Sequence, residues 1–496
     1  MSNRTDDLLA ELTLEEKVRL THGTEDPVGR ATGFIGGVER LDIPPLRMVD
    51  GPLGVRIPDE DSTAFPAPLA LAATFDTDLA GAFGEALGRE TRGKGQDVLL
   101  APGVNLLRVP QNGRNFEYFS EDPVHAGAFA AAVVAGVQSK DVIATPKHYV
   151  ANNQETNRAA IDARVSERAL RELYLPAFED AVAAGAGSVM TAYNTVNGVR
   201  MSDHDELVND VLKGEFDFGG YTVSDWFGTE TTAAAANGGL DVEMPGTAMD
   251  GMLPSDGSEA PTDDDVAAAL EEIAGGVPDP ATCERFAETL ADAVEAGEVS
   301  EDRLDDMVAR VLGQMDRVGM FDGDRAAGAV DTDEHRALAE RIAAHSTVLL
   351  ENDGVLPLAD DADVAVIGPN VDEAVLGGGG SSETSPVVQS APADAIAERA
   401  GGAVETVRGL PRVVAPSLMD FLGGDPSVDP DGEVAIEAAA DAATEADVAV
   451  VLATDIATEA KDRESLALPG RQDELIEAVA DANDRTVVVL NTSGPV

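Results

Sequence analysis

The sequence predicts an α/β protein, with a (β/α)8-like TIM barrel followed by an α/β sandwich domain that has a mostly parallel sheet and is incomplete at its C-terminus. Short apolar runs alternate with helical patterns along the chain, which is the order that parallel strands with helical crossovers produce. In the first part of the chain, charged or aromatic residues follow each run, and in a barrel such strand ends converge on one mouth. The 496 residues, 44% of them hydrophobic, are enough for two or three domains.

The composition is strongly acidic. The chain has a net charge of −58, and only six of its 34 basic residues are lysine. The hydrophobic content is too high for a disordered acidic polymer, so the charge must coat a folded surface that repels nucleic acid and anionic membranes. Acid excess with arginine in place of lysine favours a halophilic protein. The alternative, an acidic protein that binds cations specifically, lacks ligand clusters in the sequence.

The N-terminal sequence and the cysteine content both indicate the same cellular compartment. The first residues, MSNRTDDLLAELTLEEKVRL, lack a signal-peptide core, and no apolar run reaches membrane-spanning length. The lone Cys283 can form no internal disulfide, which agrees with a reducing compartment, and its polar setting argues against a cysteine nucleophile. We therefore expect a cytoplasmic protein.

Amphipathic patterns and apolar runs predict the barrel elements in order. A surface helix is predicted over residues 8–20, further helices over 78–91 and 166–184, and a last barrel helix with its apolar face over 304–315. The predicted strands and the residues that follow them are 46–49 before Asp50 and Arg56, 98–100 before the loop with Arg114, 142–145 before Lys147 and His148, 188–192 before Tyr193, and 221–223 before Asp225 and Trp226.

The run that ends at Asp225 carries the strongest functional signal. A strand over 221–223 would deliver a carboxylate and the chain's single tryptophan, Trp226, to its C-terminal tip. A flat apolar ring beside a carboxylate suits a sugar, because sugar rings have an apolar C–H face. The alternative is an aspartate that N-caps the next helix, with the tryptophan in the core.

Composition also predicts the domain boundaries: a barrel over 1–320, a polar linker over 321–346 and the second domain over 347–496. An acidic segment rich in Gly, Pro and Ser, 250–280, is predicted to be a surface insertion without chemistry. In the second domain strands are predicted at 348–350, 364–367, 448–452 and 487–490, and helices at 435–443 and 472–480. The glycine run GGGGSSETS at 377–385 could hold a phosphate, but its spacing fits neither the P-loop nor the dinucleotide motif.

Several motifs together resemble the β-glucosidase branch of family 3 glycoside hydrolases, of a haloarchaeal type and truncated at the C-terminus. They are, in chain order, DGPLGVR, GRNFEYFSEDP, KHYVANNQETNR, the VSDW run, TVLLENDGVLPL, and TEAKDRESLALPG ahead of VVVLNTSGPV. The loop after the KH motif reads VANNQET rather than the GHG-containing loop of the other branch, which disfavours an N-acetylglucosaminidase.

The resemblance implies a retaining exo-acting β-glycosidase that removes terminal β-D-glucosyl residues with two carboxyl groups. Asp225 in the barrel matches the nucleophile, and Glu459 in the second domain matches the acid/base, although Ala460 stands where glycine is commoner and Asp455 is the alternative. No metal or other cofactor is implied. The residues expected to bind the substrate are Asp50, Arg56, Arg114, Lys147, His148, Met190, Tyr193, Trp226 and Ser381.

Other functions stay open from the sequence. The enzyme could be a β-xylosidase of the same family, or the chain could be a non-catalytic sugar-binding remnant. Lys147 at a strand end could instead form a Schiff base in a barrel aldolase. Because the apolar strand predicted at 487–490 lies close to the end of the sequence, we expect an exposed sheet edge, and with it a homo-oligomer or a complementing C-terminal chain as partner of the protein besides its glucoside substrate.

Overall fold

The computed structural model describes residues 3–246, 284–323, 325–414 and 434–496. The predicted insertion at 250–280 and Cys283 lie outside these residues. Two α/β units follow one another along the chain, a barrel and then a parallel sheet with apolar clusters on both faces. The barrel strands are β1 Gly33–Ile35, β2 Leu46–Asp50, β3 Val98–Leu100, β4 Ile143–Ala144, β5 Asp162–Ala163, β6 Ser188–Thr191, β7 Thr195–Val196, β8 Val199–Arg200 and β9 Tyr221–Ser224.

Six of these strands and two extended segments close a ring of eight within the described part of the chain. β1 to β4 pair in order, the Tyr149 N–H donates to Met190 O to join β4 to β6, and β6 pairs with β9. Residues 241–244 bridge β9 to residues 21–24, and the Thr24 N–H donates to Phe34 O at 2.7 Å, which returns the ring to β1. β1 is antiparallel to β2, so the barrel departs from a uniform parallel register at this strand.

The predicted strands match the observed ones closely at their C-terminal ends because the strands are short runs of buried, mainly apolar residues. Met48, Leu100, Ile143, Met190 and Val223 belong to one buried cluster inside the ring. β5, β7 and β8 form a small separate sheet. The helical segments of the barrel unit are Asn3–Glu11, Leu14–Arg19, Glu39–Leu41, Pro68–Ala73, Thr77–Gly93, Asn115–Glu117, Pro123–Gln138, Glu167–Ala169, Leu170–Tyr174, Pro176–Ala183, Met201–Asp203, Glu206–Glu215, Ala233–Asn237, Arg285–Glu295 and Glu301–Arg317.

The single surface helix predicted over 8–20 is wrong, because the segment forms two helices. The first helix ends at Glu11, and Thr13 N-caps the second: its hydroxyl accepts the Glu16 N–H, and the Glu16 carboxylate accepts the Thr13 N–H at 2.9 Å. This reciprocal capping box satisfies two backbone donors that a continuous helix would use otherwise. Leu12, Val18 and Leu20 are buried against the barrel rather than lying on a surface.

The second unit is a four-stranded parallel sheet in the order β11-β10-β12-β13. Alternate residues of the central strands contribute to two apolar clusters, one on each face, as a sheet covered on both sides requires. The strands are β10 Val364–Ile367, β11 Val404–Val407, β12 Val448–Thr454 and β13 Thr486–Asn491, and the helices are Asp333–Ser346, Pro392–Arg399, Ile436–Glu445 and Gln472–Ala482.

The strand predicted at 348–350 is wrong. Both edges of β10 are taken by β11 and β12, so no hydrogen-bonding edge is left there for this run. Val348, Leu349 and Leu350 are 63%, 64% and 82% exposed and have no strand partner among the residues described. Three apolar residues are too short a pattern to reveal whether a strand has a pairing partner.

A helix joins the two units within the segment predicted as a linker. Asp333–Ser346 buries Leu338 and Ile342 against the barrel core, and the buried Glu90 carboxylate accepts the Asp331 N–H at 3.1 Å and contacts His335 Nδ1 at 2.8 Å. This packing ties the connection to the barrel. In the described part of the chain, no helix combines the length and apolar character needed to cross a membrane.

Candidate active site

Asp225 lies at the C-terminal tip of β9, inside the barrel mouth. Its N–H donates to Thr191 O at 3.2 Å, which extends the β6 to β9 pairing by one residue, and its Oδ1 accepts the Trp226 N–H at 2.8 Å. Its Oδ2 is buried and has no hydrogen-bond partner in the protein. Asp225 caps no helix, since Ala233–Asn237 begins farther along and Thr232 precedes it. The carboxylate is therefore presented to the mouth with one oxygen free for a ligand.

His148 approaches this oxygen from the end of β4. Its Nε2 lies 3.7 Å from Asp225 Oδ2. Asn105 fixes the histidine, because its Oδ1 accepts the His148 N–H at 2.7 Å and faces Nδ1 at 3.3 Å, while its Nδ2 donates to His148 O at 2.9 Å. This network assigns the ring proton to Nδ1 and leaves Nε2 as an acceptor. Burial, with the nearby positive charges of Arg114 and Lys147, holds the pKa of His148 well below its usual value.

Asp50 lies at the end of β2 and contacts Lys147, the neighbour of His148 in the chain. Lys147 Nζ lies 3.5 Å from Asp50 Oδ1, and both side chains are buried. The Arg56 N–H donates to Asp50 O at 2.9 Å, and its guanidinium charge acts on the same carboxylate. Burial raises the pKa of Asp50, and the positive charges of Lys147 and Arg56 oppose this rise.

Arg114, in the long loop after β3, is held by its own loop. Its Nε and Nη2 donate to the two oxygens of Glu117 at 3.0 and 2.9 Å, a bidentate pair in which both side chains are buried. Its Nη1 has no hydrogen-bond partner in the protein and lies 3.7 Å from Glu459 Oε1. The pair thus orients one guanidinium nitrogen toward the second carboxylate of the site.

Glu459 reaches this position from the second unit. Its Oε1 accepts Arg158 Nη1 at 2.7 Å, and its Oε2 accepts the Ser381 N–H at 2.7 Å. The glycine run makes this approach possible: Gly380 has φ +112°, and a Cβ there would lie 2.4 Å from the Glu459 Cβ. A Cβ at Gly378 would lie 2.2 Å from the Phe116 ring. The run therefore packs closely between the barrel and Glu459.

The two carboxylates influence each other. Burial raises the pKa of Asp225, and the negative charge of Glu459 adds to this, whereas Arg158 and Arg114 oppose it. Burial also acts to raise the pKa of Glu459, but Arg114, Arg158 and the hydrogen bonds from Ser381 together hold it well below its usual value. Arg114 and Arg158 thus act on both carboxylates, which lie near the same cations.

Arg158 is a site residue that the sequence reasoning missed. It lies 4.6 Å from the centre of the Tyr193 ring, and it bridges Glu459 and Glu155 through Nη1. Tyr193 in turn lies beside Asp225, so burial and that negative charge raise its pKa well above the usual value. Arg158 closes the QETNR motif, but only the contact with residue 459, far along the chain, distinguishes it from the other arginines.

The remaining predicted residues occupy different places. The Trp226 ring packs beside Gly33 at the barrel mouth, with Nε1 buried and unpartnered. Met190 is 2% exposed in the core cluster inside the ring, and Ser381 meets Glu459 through its backbone. Asp455 lies apart: its Oδ1 accepts the Ser493 N–H at 2.9 Å and its Oδ2 lies 3.2 Å from Arg463 Nη1.

Several buried polar atoms that face this pocket lack protein partners, namely Arg114 Nη1, Asp225 Oδ2 and Trp226 Nε1. Buried polar groups are seldom left unpaired, so donors and acceptors gathered in this way fit a ligand rich in hydroxyl groups. Chemically, an aspartate with one free oxygen can attack, and a glutamate across the pocket can exchange a proton.

The fold and the site together define a two-domain α/β protein with a buried, charged pocket for a polar ligand at the barrel mouth. The N-terminal and C-terminal domain models of glycosyl hydrolase family 3 match residues 37–313 and 347–496, and the chain belongs to this family. The family's C-terminal domain is thus present in the chain, and the incompleteness predicted for it is not confirmed.

The chain is similar to known beta-glucosidases over most of its length. A beta-glucosidase of Rhizobium radiobacter is 40% identical over 401 residues, which cover 79% of this chain and 44% of that protein. The crystal structure of DesR, a beta-glucosidase from Streptomyces venezuelae in complex with D-glucose, has a TM-score of 0.84 at 33% identity and covers 100% of this chain and 72% of DesR. Beta-glucosidase 3B from Thermotoga neapolitana in complex with glucose has a TM-score of 0.83 at 32% identity, covering 100% of this chain and 70% of that one. This chain therefore spans under half the length of the Rhizobium relative.

Proposed function

We propose that the protein hydrolyses terminal β-D-glucosyl residues with retention of configuration at the anomeric carbon. The observation that carries the proposal is the pair Asp225 and Glu459, brought from separate domains into one buried pocket among cations. Retaining hydrolysis needs two carboxyl groups roughly 5 Å apart. The resemblance to beta-glucosidases, including two whose structures hold glucose, supports glucose as the sugar.

In the proposed first step, Asp225 Oδ2 attacks the anomeric carbon and Glu459 protonates the departing oxygen, so the glycosidic bond breaks as the glycosyl-aspartate ester forms. In the second step Glu459 takes a proton from water, which attacks the same carbon and releases Asp225. His148, Lys147 and Asp50 hold sugar hydroxyls with an acceptor, a donor and a carboxylate, respectively. Such contacts reject sugars that lack or invert a hydroxyl.

The charges around Glu459 fit its proposed role as a base in the second step and oppose its role as an acid in the first. In the resting protein Arg158 and Arg114 favour its ionised form, so the bound substrate must offset these charges for Glu459 to carry a proton. Formation of the ester removes the negative charge of Asp225 beside it, which lowers the pKa of Glu459 further. Glu459 is then a carboxylate when a base is needed.

Turnover in concentrated salt tests the function. The full chain in 3 M KCl should hydrolyse an aryl β-glucoside and release β-glucose first, seen by NMR, with slower release from the matching β-xyloside. Faster xyloside turnover would make it a β-xylosidase. Glucose binding without turnover would indicate a non-catalytic sugar-binding remnant. Trapping of a carbonyl substrate on Lys147 by borohydride would indicate an aldolase.

We also propose that the protein is a halophilic, cytoplasmic one. The acidic groups that give the folded surface its net charge of −58 repel one another, and salt weakens this repulsion because the Debye length falls to roughly 3 Å at 1 M.

The exposed apolar edge at β13 supports self-association or a separate complementing chain, since Val488, Val489 and Leu490 are 40%, 38% and 42% exposed on an edge strand.

We expect the protein to unfold or lose activity below about 0.5 M salt, because screening of the acidic surface weakens there. Thermal unfolding by circular dichroism, with light scattering for the association state, should be recorded from 0.1 to 3 M KCl. Tetramethylammonium chloride at equal ionic strength is the control, since it screens charge but fits no specific cation site. Full stability in dilute buffer, or rescue by K⁺ alone, would contradict the surface-charge explanation.

A further inference from the structure

The loop that carries Glu459 is fastened to the barrel by hydrogen bonds that neither proposed reacting carboxylate makes. Asp462 accepts three barrel N–H groups: its Oδ1 from Gly113 at 3.2 Å and Glu155 at 2.9 Å, and its Oδ2 from Thr156 at 3.0 Å. These donors belong to the loops after β3 and β4, which also supply Arg114 and His148. One side chain of the second domain thus fixes two loops of the barrel mouth.

The barrel makes the reciprocal contact. The Glu155 side chain is fully buried, and its Oε2 accepts the Ala460 N–H at 2.8 Å as well as Arg158 Nη1 at 2.8 Å. Each loop therefore provides a carboxylate that accepts backbone N–H groups of the other loop. Ala460, the residue next to Glu459, has φ +62°, a left-handed conformation that alanine seldom adopts and that its neighbours must hold.

The two loops also touch so closely that little relative movement is open to them. A Cβ at Gly113 would lie 2.0 Å from Lys461 O and 2.2 Å from Thr458 O. The Arg463 N–H donates to Gln111 O at 2.8 Å, which adds a backbone bond on the same side. Glu459 lies within this fastened stretch, so its distance from Asp225 depends on the fastening.

We propose that Asp462 and Glu155 form an interdomain clamp and are positioning residues for Glu459. The clamp sets how closely the proton donor of the second domain approaches the scissile oxygen, and a small misplacement of a reacting group lowers the rate steeply. The kinetic part of this inference rests on the proposed hydrolysis, whereas the clamp itself is a statement about backbone hydrogen bonds.

Amide exchange tests the clamp without any turnover. In Asp462→Ala, peptides that cover residues 111–117 and 153–158 should exchange their amide hydrogens at least about 10-fold faster than in the parent chain, because three N–H groups lose their acceptor. Exchange in the β10 and β12 peptides should stay unchanged. Asp484→Ala, at an exposed aspartate of the same domain, is the matched control and should alter neither set.

Leaving-group dependence tests the positioning. Asp462→Asn and Asp462→Ala should lower kcat/KM for an alkyl glucoside by about 10²-fold but for a dinitrophenyl glucoside by under about 5-fold. In the first step only the alkyl leaving group needs a well-placed proton donor, whereas the second step needs Glu459 as base with both substrates. Glu155→Gln, which keeps an acceptor for Ala460, should retain more activity than Glu155→Ala. Equal losses on both substrates would reduce the pair to a structural role, and unchanged exchange in Asp462→Ala would overturn the clamp. A parent chain that turns over neither substrate would overturn the proposed function, while the exchange result would still decide the clamp.

Discussion

Asp225→Asn is expected to lower hydrolysis of every β-glucoside by on the order of 10⁴-fold or more while glucose still binds. The amide has the shape of the carboxylate and can keep the Trp226 N–H as a donor to its oxygen. It cannot form the glycosyl ester, because an amide oxygen is a much weaker nucleophile. Initial rates on an aryl glucoside and glucose binding by calorimetry measure the two quantities separately.

Asp217→Asn is the matched control for this change. Asp217 is exposed on the turn before β9 and has φ +55°, a conformation that asparagine tolerates well. The control should keep full activity and the same unfolding midpoint as the parent chain. A fluoroglucoside that forms a stable ester should label the parent chain at Asp225. An active Asp225→Asn protein, or a label at another residue, would remove Asp225 from its proposed role.

Glu459→Ala is expected to separate substrates by their leaving groups. Alkyl glucosides should lose about 10²- to 10⁴-fold in kcat/KM, because their departing oxygen needs a proton, whereas dinitrophenyl glucosides should lose little in this first step. For the good leaving groups the second step then limits turnover, since water has lost its base. Azide needs no base, so added azide should restore part of the rate and yield the β-glucosyl azide.

The pH profile gives a second measure of the same change. The acid form of Glu459 is needed for departure, so the activity of the parent chain on alkyl glucosides should fall as pH rises, and this limb should disappear in Glu459→Ala. Arg114 and Arg158 hold the pKa of Glu459 well below its usual value in the resting protein. A fall of kcat near neutral pH would therefore report the pKa of Glu459 in the substrate complex. Glu464→Ala, exposed on the same loop, is the control. Similar losses on both substrate types, without an azide effect, would move the role away from Glu459.

Local pattern was sufficient for the barrel side of the site. Asp50, Lys147 and Asp225 follow apolar strands, and strand ends converge by topology alone. By contrast, β1 runs antiparallel to β2, and residues 21–24 and 241–244 complete the ring through backbone bridges. The first of these segments, THGT, is polar, and the second, DVEM, alternates polar and apolar residues over too few positions to predict a strand. β11, with the sequence VETV, was missed because an edge strand with exposed side chains carries a weak apolar signal.

The contacts that complete the site lie beyond any local pattern. Arg158 reaches Glu459 across 301 positions and Asp462 reaches the Glu155 backbone across 307. Neither residue lies on a periodic face, and an arginine or aspartate in a polar loop is ordinarily solvated. The resemblance to a family indicated Glu459 as a candidate. Its contacts with loop residues of the barrel become visible only in the folded structure.

The arrangement around His148 fixes both its charge and its tautomer. Its pKa lies well below the usual value and that of Arg114 well above, so neither changes charge between mildly acidic and mildly alkaline solution. Asn105 further restricts the imidazole to one tautomer, with a lone pair toward the pocket. These two side chains therefore offer a ligand hydroxyl group the same donor and acceptor pattern over this pH range, so under the proposed function pH should change the rate of hydrolysis rather than the sugar that these residues select.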